Sequence, residues 1–304
     1  MSEPAAPRRA TTFPDLIGRL ACWRNLGRKT LSAINAAFVK LPVDRDWVFF
    51  PLYHFIVDDE RRGFDAHLRY MQRHGDFISM DNAVEALKNP RGIGGRYFCV
   101  TFDDGVKNCV TNALPILVER RAPAAFFIAT EYVGLRLETD WERIRPFPQP
   151  YTGFRGAFDF VTWDDCRAMH ASGMTIGAHT RHHRRLQSMS EAECDDELRG
   201  SKACIEAELQ APCVHFAAPW GVPGADFDPQ VHPARARTIG FKSFLTTRPG
   251  ANGSHGDPFA IRRTGLRGFN WTSQVHCLFS AEARSSLMSP DVHGDDRAEA
   301  HAAS

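Results

Sequence analysis

Apolar residues in this chain gather into short runs, and each run stops abruptly at polar or turn-forming residues. Trp47-Val48-Phe49-Phe50-Pro51-Leu52-Tyr53 is the first and ends at His54. Tyr97-Phe98-Cys99-Val100-Thr101-Phe102 is the central one and ends at Asp103-Asp104-Gly105. Similar runs cover residues 124–129, 174–178, 213–217 and 241–246, with short ones at 77–79 and 259–261. They are continuous rather than alternating, and rich in aromatic and β-branched residues, which is the pattern of strands buried on both faces. Between them the apolar spacing is helical. Residues 64–74 place Phe64, Leu68 and Met71 on one face, and further helices are predicted over 80–87 (opened by Asp81), 112–121, 234–239 and 271–284. Thr162 with Asp165, and Ser190 with Glu193, have capping-box spacing and open helices running to Ala171 and Leu209. Strands alternating with helices predict an α/β fold built on a parallel sheet or barrel.

The ends of the chain read differently. Residues 1–12 are rich in Pro, Ala and Arg and are expected to be disordered. Leu16, Leu20, Trp23, Leu31, Ile34 and Phe38 then share a helical face, with Arg19, Arg24, Arg28, Lys29 and Lys40 around them. This basic amphipathic helix either packs on the domain with its charges in solvent or makes peripheral membrane contact through residues 14–41. Three regions are expected: a tail and helix over 1–42, one folded domain over 43–285, and a loose tail over 286–304. Within the domain, residues 134–160 break the strand–helix rhythm, as a lid or binding loop does.

Composition narrows the function classes. Of 304 residues, 43% are hydrophobic and 24% charged, and the net charge is +1. That balance suits a globular domain and gives no case for a nucleic-acid partner. No stretch approaches the ~20 apolar residues of a membrane span. Residues 1–13 lack the apolar core of a secretion signal, and the eight cysteines form no Cys-x-x-Cys pair. The expectation is a cytoplasmic protein with reduced thiols, peripheral at the inner membrane face if the basic helix binds lipid.

Candidate chemistry lies where the runs stop. Two adjacent carboxylates, Asp103 and Asp104, at the mouth of a buried strand are costly unless paired or metal-bound; a plain Asx turn is the competing reading. His179-Thr180-Arg181-His182-His183 follows another strand. Imidazoles at i and i+4 meet on one side of a helical turn, so His179 and His183 share one metal ion or else belong to a polar loop. His182 points elsewhere, toward solvent. Phe216-Ala217-Ala218-Pro219-Trp220-Gly221 closes a third strand. Three such clusters in a row at strand ends form one rim.

Thr-Phe-Asp-Asp-Gly, then His-Thr-x-x-His about 75 residues on, then Phe-x-x-Pro-aromatic-Gly, resembles the polysaccharide deacetylase family, the NodB-homology domain of carbohydrate esterase family four. Tyr53-His54, Ser201-Lys202 and Gly240-Phe241-Lys242-Ser243 followed by Thr246-Thr247 extend the likeness over about residues 47–270. The resemblance implies a distorted parallel (β/α) barrel of the NodB-homology type, here with an N-terminal amphipathic helix. It implies a divalent metal, zinc before others, held by Asp104, His179 and His183. Asp103 is then the general base, and the backbone N–H of Trp220, presented by Pro219, faces the oxyanion. The chain departs from the family twice. The arginine that usually orients the catalytic aspartate is replaced by Ala217, and Arg263 at the end of a late strand is the expected substitute. No Leu-x-His follows at a strand end, so the general acid is His54 or His276. The implied activity is removal of an N-acyl group, N-acetyl before others, from an amino sugar in a glycan, glycolipid, lipid-linked sugar or sugar precursor. Deformylation, O-deacetylation and a non-catalytic glycan-binding role on the same fold are the alternatives.

Overall fold

The computed structural model describes residues 11–12, 41–42, 45–89, 91–145, 147 and 158–288. The expected basic helix over residues 16–38 and almost all of the expected C-terminal tail lie outside the described residues. The first apolar run divides into β1 (Trp47–Phe49) and β2 (Pro51–Tyr53), and the central run into β4 (Arg96–Phe98) and β5 (Val100–Phe102). β1 and β4, with the two-residue β3 (Asp76–Phe77), make a parallel sheet in the order β1-β4-β3. β2 and β5 belong to a larger parallel sheet. The division corrects the expectation of single strands. Each run is interrupted at one residue, Phe50 and Cys99, both fully buried in one apolar cluster. Each run thus serves two sheets.

The larger sheet adds β6 (Ala124–Ile128), β7 (Thr175–Ala178), β8 (His215–Ala217), β9 (Ser243–Leu245) and β10 (Thr264–Gly265), in the order β10-β2-β5-β6-β7-β8-β9. Every pairing is parallel. The segment joining its edges is short. Ile261 bridges Leu245 of β9, and three residues later Thr264 pairs with Pro51 of β2. One stretch of chain therefore touches both edges of the curled sheet and closes a distorted barrel, as expected. The expected strand at 259–261 reduces to that single bridge.

Alternation along each strand separates two cores. Ala124, Phe126 and Ile128 join the large cluster, whereas Ala125 and Phe127 face the smaller one with Ala217, Leu245 and Ile261. Phe102 and Phe126 stack across neighbouring strands with ring centroids 4.8 Å apart. Gly177 is required inside, because a Cβ there would stand 2.5 Å from the Phe127 ring.

Among the described residues, six helices cover the larger cluster and two lie on others: α1 (Arg61–Gln72), α2 (Met80–Lys88), α3 (Leu114–Glu119), α4 (Trp141–Ile144), α5 (Trp163–Ala171), α6 (Glu191–Leu209), α7 (His232–Ile239) and α8 (Thr272–Met288), of which α2 packs on the smaller cluster and α4 on a third, around Tyr132 and Phe160. Both capping boxes form as expected, Thr162 with Asp165 and Ser190 with Glu193. At α2 the cap is Ser79, whose hydroxyl accepts the Asn82 N–H, rather than Asp81 as expected. Serine one residue earlier leaves Asp81 inside the first turn, where its charge suits the helix dipole.

Glu60 precedes α1 and is almost fully buried, with Oε2 accepting the Val57 N–H. Burial pushes its carboxyl from 4.5 up to about 7. A carboxyl that holds its proton more tightly when folded costs nothing below pH 4.5 and destabilises as pH rises toward 7. Glu60→Gln is therefore expected to raise stability above pH 7 by about 3 kcal/mol at most, at 1.36 kcal/mol per unit, and to change it little near pH 4.5. Urea unfolding of both chains at pH 4.5 and 8 measures this; an equal gain at the two pH values would refute it.

Candidate active site

The sequence clusters converge at the C-terminal ends of the barrel strands, where parallel α/β sheets leave backbone groups and loops open for chemistry. Asp103 and Asp104 follow β5, His179 follows β7, Pro219 and Trp220 stand just past β8, His54 follows β2, and Arg263 immediately precedes β10. Asp103 keeps the strand alignment, its N–H donating to the Tyr53 carbonyl at 3.0 Å. Asp104 then turns sharply with φ 75°, a left-handed conformation costly to a residue with a side chain. Gly105 follows at φ 77°, where glycine carries no such cost. Past the turn the two neighbouring carboxylates have different partners.

Asp104 Oδ1 lies 3.5 Å from His179 Nε2 and 3.2 Å from His183 Nε2. These three residues are buried, and each offers one ligand atom within 4.8 Å of the others. His179 Nδ1 is 2.8 Å from the Ala217 carbonyl. A carbonyl only accepts, so the proton sits on Nδ1 and the Nε2 lone pair is left for the cluster. Asp104 Oδ1 is buried with no hydrogen-bond partner, a costly state for a carboxylate oxygen unless a cation satisfies it. One carboxylate oxygen and two imidazole nitrogens match the three protein ligands of a catalytic zinc-type site. The residues present therefore fit a divalent metal.

The spacing of the two histidines brings them together by a different route from the helical turn expected. The chain from His179 to His183 is a loop with two left-handed residues, Thr180 at φ 61° and His183 at φ 55°. Each costs about 1–2 kcal/mol by the usual steric penalty. The Thr180 hydroxyl accepts the His183 N–H at 3.0 Å, which ties the loop back on itself.

Asp103 makes a separate unit. Arg263 meets it in a two-pronged pair, Nη1 to Oδ1 and Nη2 to Oδ2, both 2.7 Å. Both side chains are buried, and Arg263 Nε also donates to the Thr246 carbonyl. Arg263 sits in the stretch that closes the barrel, so closing the sheet places the guanidinium inside it. Burial alone would raise the Asp103 carboxyl; Arg263 and His179 outweigh it and hold the group below the usual range. Burial likewise opposes ionisation of Asp104, and the two imidazoles beside it, His179 and His183, overcome that, leaving it well below the usual range. Arg263 balances one negative charge, and the second, on Asp104, sits beside the two imidazoles.

His54 stands half-buried at the tip of β2, near enough for its charge to bear on both carboxylates. His276 lies elsewhere: on α8, its Nδ1 is 2.7 Å from the Tyr70 hydroxyl of α1. Trp220 is left-handed at φ 63°. Around it Gly221 N–H donates to the Pro219 carbonyl at 2.7 Å and the Thr247 hydroxyl to the Trp220 carbonyl at 2.7 Å. Neither bond uses the Trp220 N–H. The Trp220 ring lies 5.9 Å from His183, with the Arg185 guanidinium 4.7 Å above it.

Sequence reasoning did not find Phe147. Its ring lies 4.7 Å from His183, and it packs with Tyr132, Ile144 and Phe160. Leu135, Ile144, Phe147 and Phe160 of the 134–160 insertion thus form an apolar wall beside the Asp104, His179 and His183 cluster. Trp141 packs into this same wall. An aromatic in an irregular insertion carries no periodic signal, so only the fold reveals it.

Residues 93–238 match the family described as polysaccharide deacetylase. A chitooligosaccharide deacetylase of Bradyrhizobium sp. (strain ANU 289) is 30% identical over 131 residues, 42% of this chain and 48% of that protein. The chain thus spans about half the length of that curated relative. Among solved structures, the deacetylase PplD of Streptococcus pyogenes, in complex with acetate, superposes with TM-score 0.60 at 19% identity, over 77% of this chain and 98% of that one. IcaB of Ammonifex degensii gives 0.61 at 23%, over 77% and 97%. A de-N-acetylase of Aggregatibacter actinomycetemcomitans gives 0.60 at 16%, over 77% and 100%. At these identities the structural likeness establishes the fold.

Proposed function

We propose, from the match of residues 93–238 to the polysaccharide deacetylase family and the likeness to a chitooligosaccharide deacetylase, that this chain hydrolyses the N-acetyl group of an amino sugar within a glycan, using a divalent metal held by Asp104, His179 and His183. The observation that carries this reading is the division of labour between two adjacent carboxylates. Asp104 sets a buried, unpaired oxygen beside two imidazoles, while Asp103, with Oδ2 4.0 Å from His179 Nε2, is clamped by Arg263. A glycan-binding domain has no use for the second carboxylate; an amidase needs a base at that point.

When bound there, a divalent ion supplies Lewis acidity toward the amide carbonyl and makes water more acidic. The protein groups do the rest. Asp103 takes the proton from the attacking water, and Arg263 fixes the orientation of its carboxylate. The Trp220 N–H, left over by the turn it sits in, faces the charge that develops on the carbonyl oxygen. His54 delivers a proton to the departing nitrogen. A C–O bond forms, the C–N bond breaks, and the products are acetate and a free amino sugar. Phe147 and its neighbours keep water from one side of the site, which strengthens every charge interaction within it.

A panel of N-acetylated and N-formylated amino sugars, free, oligomeric and lipid-linked, tests the proposal through the acid released. Acetate release is expected, lost with a chelator and regained with added zinc. Release that ignores the chelator, or none from any acylated sugar, would refute it.

A further inference from the structure

The loop that carries His179 and His183 holds an unfavourable shape, and a residue outside the metal cluster grips it. Glu197 lies on α6, which packs against β7, and its side chain is 4% exposed. Oε2 accepts the backbone N–H groups of both Arg181 and His182, at 2.8 and 2.9 Å. Oε1 lies 2.6 Å from His182 Nδ1; a carboxylate only accepts, so the imidazole donates.

We propose that Glu197 is a positioning residue for the metal site, holding residues 180–183 in the one conformation that brings His183 beside Asp104, with His182 as its clamp. This rests on the metal reading of the site. Two consecutive N–H groups reach one oxygen only when the peptide between them is turned inward, as it is between Thr180 and His183. A charged acceptor makes such bonds shorter and stronger than a neutral one does. The carbonyl side of the loop has its own supports: Thr130 N–H donates to the Thr180 carbonyl and Glu131 N–H to the Arg181 carbonyl. Among the described residues, Glu197 alone accepts the Arg181 and His182 N–H groups. A 19-residue helix is a stiff base for it. His182 is the histidine of the motif that does not ligate, and this contact gives it a purpose. Its ring fills the second oxygen and keeps the carboxylate from rotating.

Zinc affinity of the full chain, measured by competition with a chromophoric chelator, tests this, together with the visible spectrum of the cobalt form and the unfolding temperature of the metal-free protein. Glu197→Ala is expected to weaken zinc binding about 10–100-fold, the range for residues that orient metal ligands from outside the coordination sphere, and to alter the cobalt bands. Glu197→Gln keeps an oxygen for the two N–H groups and should rescue most of the affinity; His182→Ala should fall between. Should Glu197→Ala not fold, Glu197→Asp, one methylene short of the loop, carries the same expectation. Variants that bind zinc as tightly as the parent, with unchanged cobalt bands, overturn the role of Glu197 while the metal site stands. A parent chain that takes up zinc no better than Asp104→Asn overturns both.

Discussion

Asp103→Asn is expected to lower turnover by about 10²–10⁴-fold, the usual contribution of a positioned general base, while zinc uptake stays at the parent level. The expectation follows from how the turn after β5 separates two neighbouring side chains. Asp103 Oδ2 lies 4.0 Å from His179 Nε2, whereas Asp104 Oδ1 sits nearer both imidazoles. Asparagine at 103 keeps one oxygen for Arg263 and leaves the three ligand atoms alone, but its amide cannot take a proton from water at neutral pH. Asp104→Asn is the reverse case and should lose the metal itself. Acetate release and metal stoichiometry, measured on both variants, separate the two roles. If Asp103→Asn lost metal, or kept full activity, the assignment of base and ligand between the neighbours would be wrong.

The second large effect is on stability. Removing one partner of a buried ion pair leaves the other charge unsolvated, at a cost of about 3–5 kcal/mol. Arg263 and Asp103 are such a pair, joined by two 2.7 Å bonds with both side chains out of solvent. In Arg263→Met the thioether fills much of the volume but leaves the Asp103 carboxylate facing an apolar group. At about 2–4 °C per kcal/mol for a domain of this size, the unfolding temperature should fall on the order of 10 °C. Turnover should fall with it, because the carboxylate loses the fork that fixes its plane. Calorimetry checks the first and acetate release the second. A variant with the parent's melting temperature would mean that the pair contributes nothing to stability, and unchanged turnover would remove Arg263 from the orienting role.

How much of this was legible in the sequence depends on the range of the interaction involved. Strands ending at Asp103, His179 and Ala218 were readable, because burial on both faces forces continuous apolar runs and polar residues mark where the barrel ends. The capping boxes at Thr162 and Ser190 were readable because they close over three residues. The pairing of Arg263 with Asp103 spans 160 positions; it was reachable only because the resemblance left an orienting arginine unaccounted for at Ala217. The shape of the histidine loop was misread. An i, i+4 spacing suggests a helical turn, yet Thr180 and His183 adopt left-handed conformations, held by hydrogen bonds from elsewhere in the fold. Glu197 could not have been singled out, since two of its partners are backbone N–H groups, which leave no trace in residue identity, and the third, His182, lies 15 positions away. The interruptions at Phe50 and Cys99 were invisible for a similar reason: an apolar run reads the same whether it feeds one sheet or two.

All of these readings depend on Asp104, His179 and His183 holding one ion. Anomalous diffraction at the zinc edge from crystals of the zinc-loaded chain tests that most directly. The prediction is a single peak per chain, within coordination distance of an Asp104 oxygen and of Nε2 on both histidines, and absent from Asp104→Asn. A peak bound by other side chains, or no peak in protein that releases acetate, would contradict it.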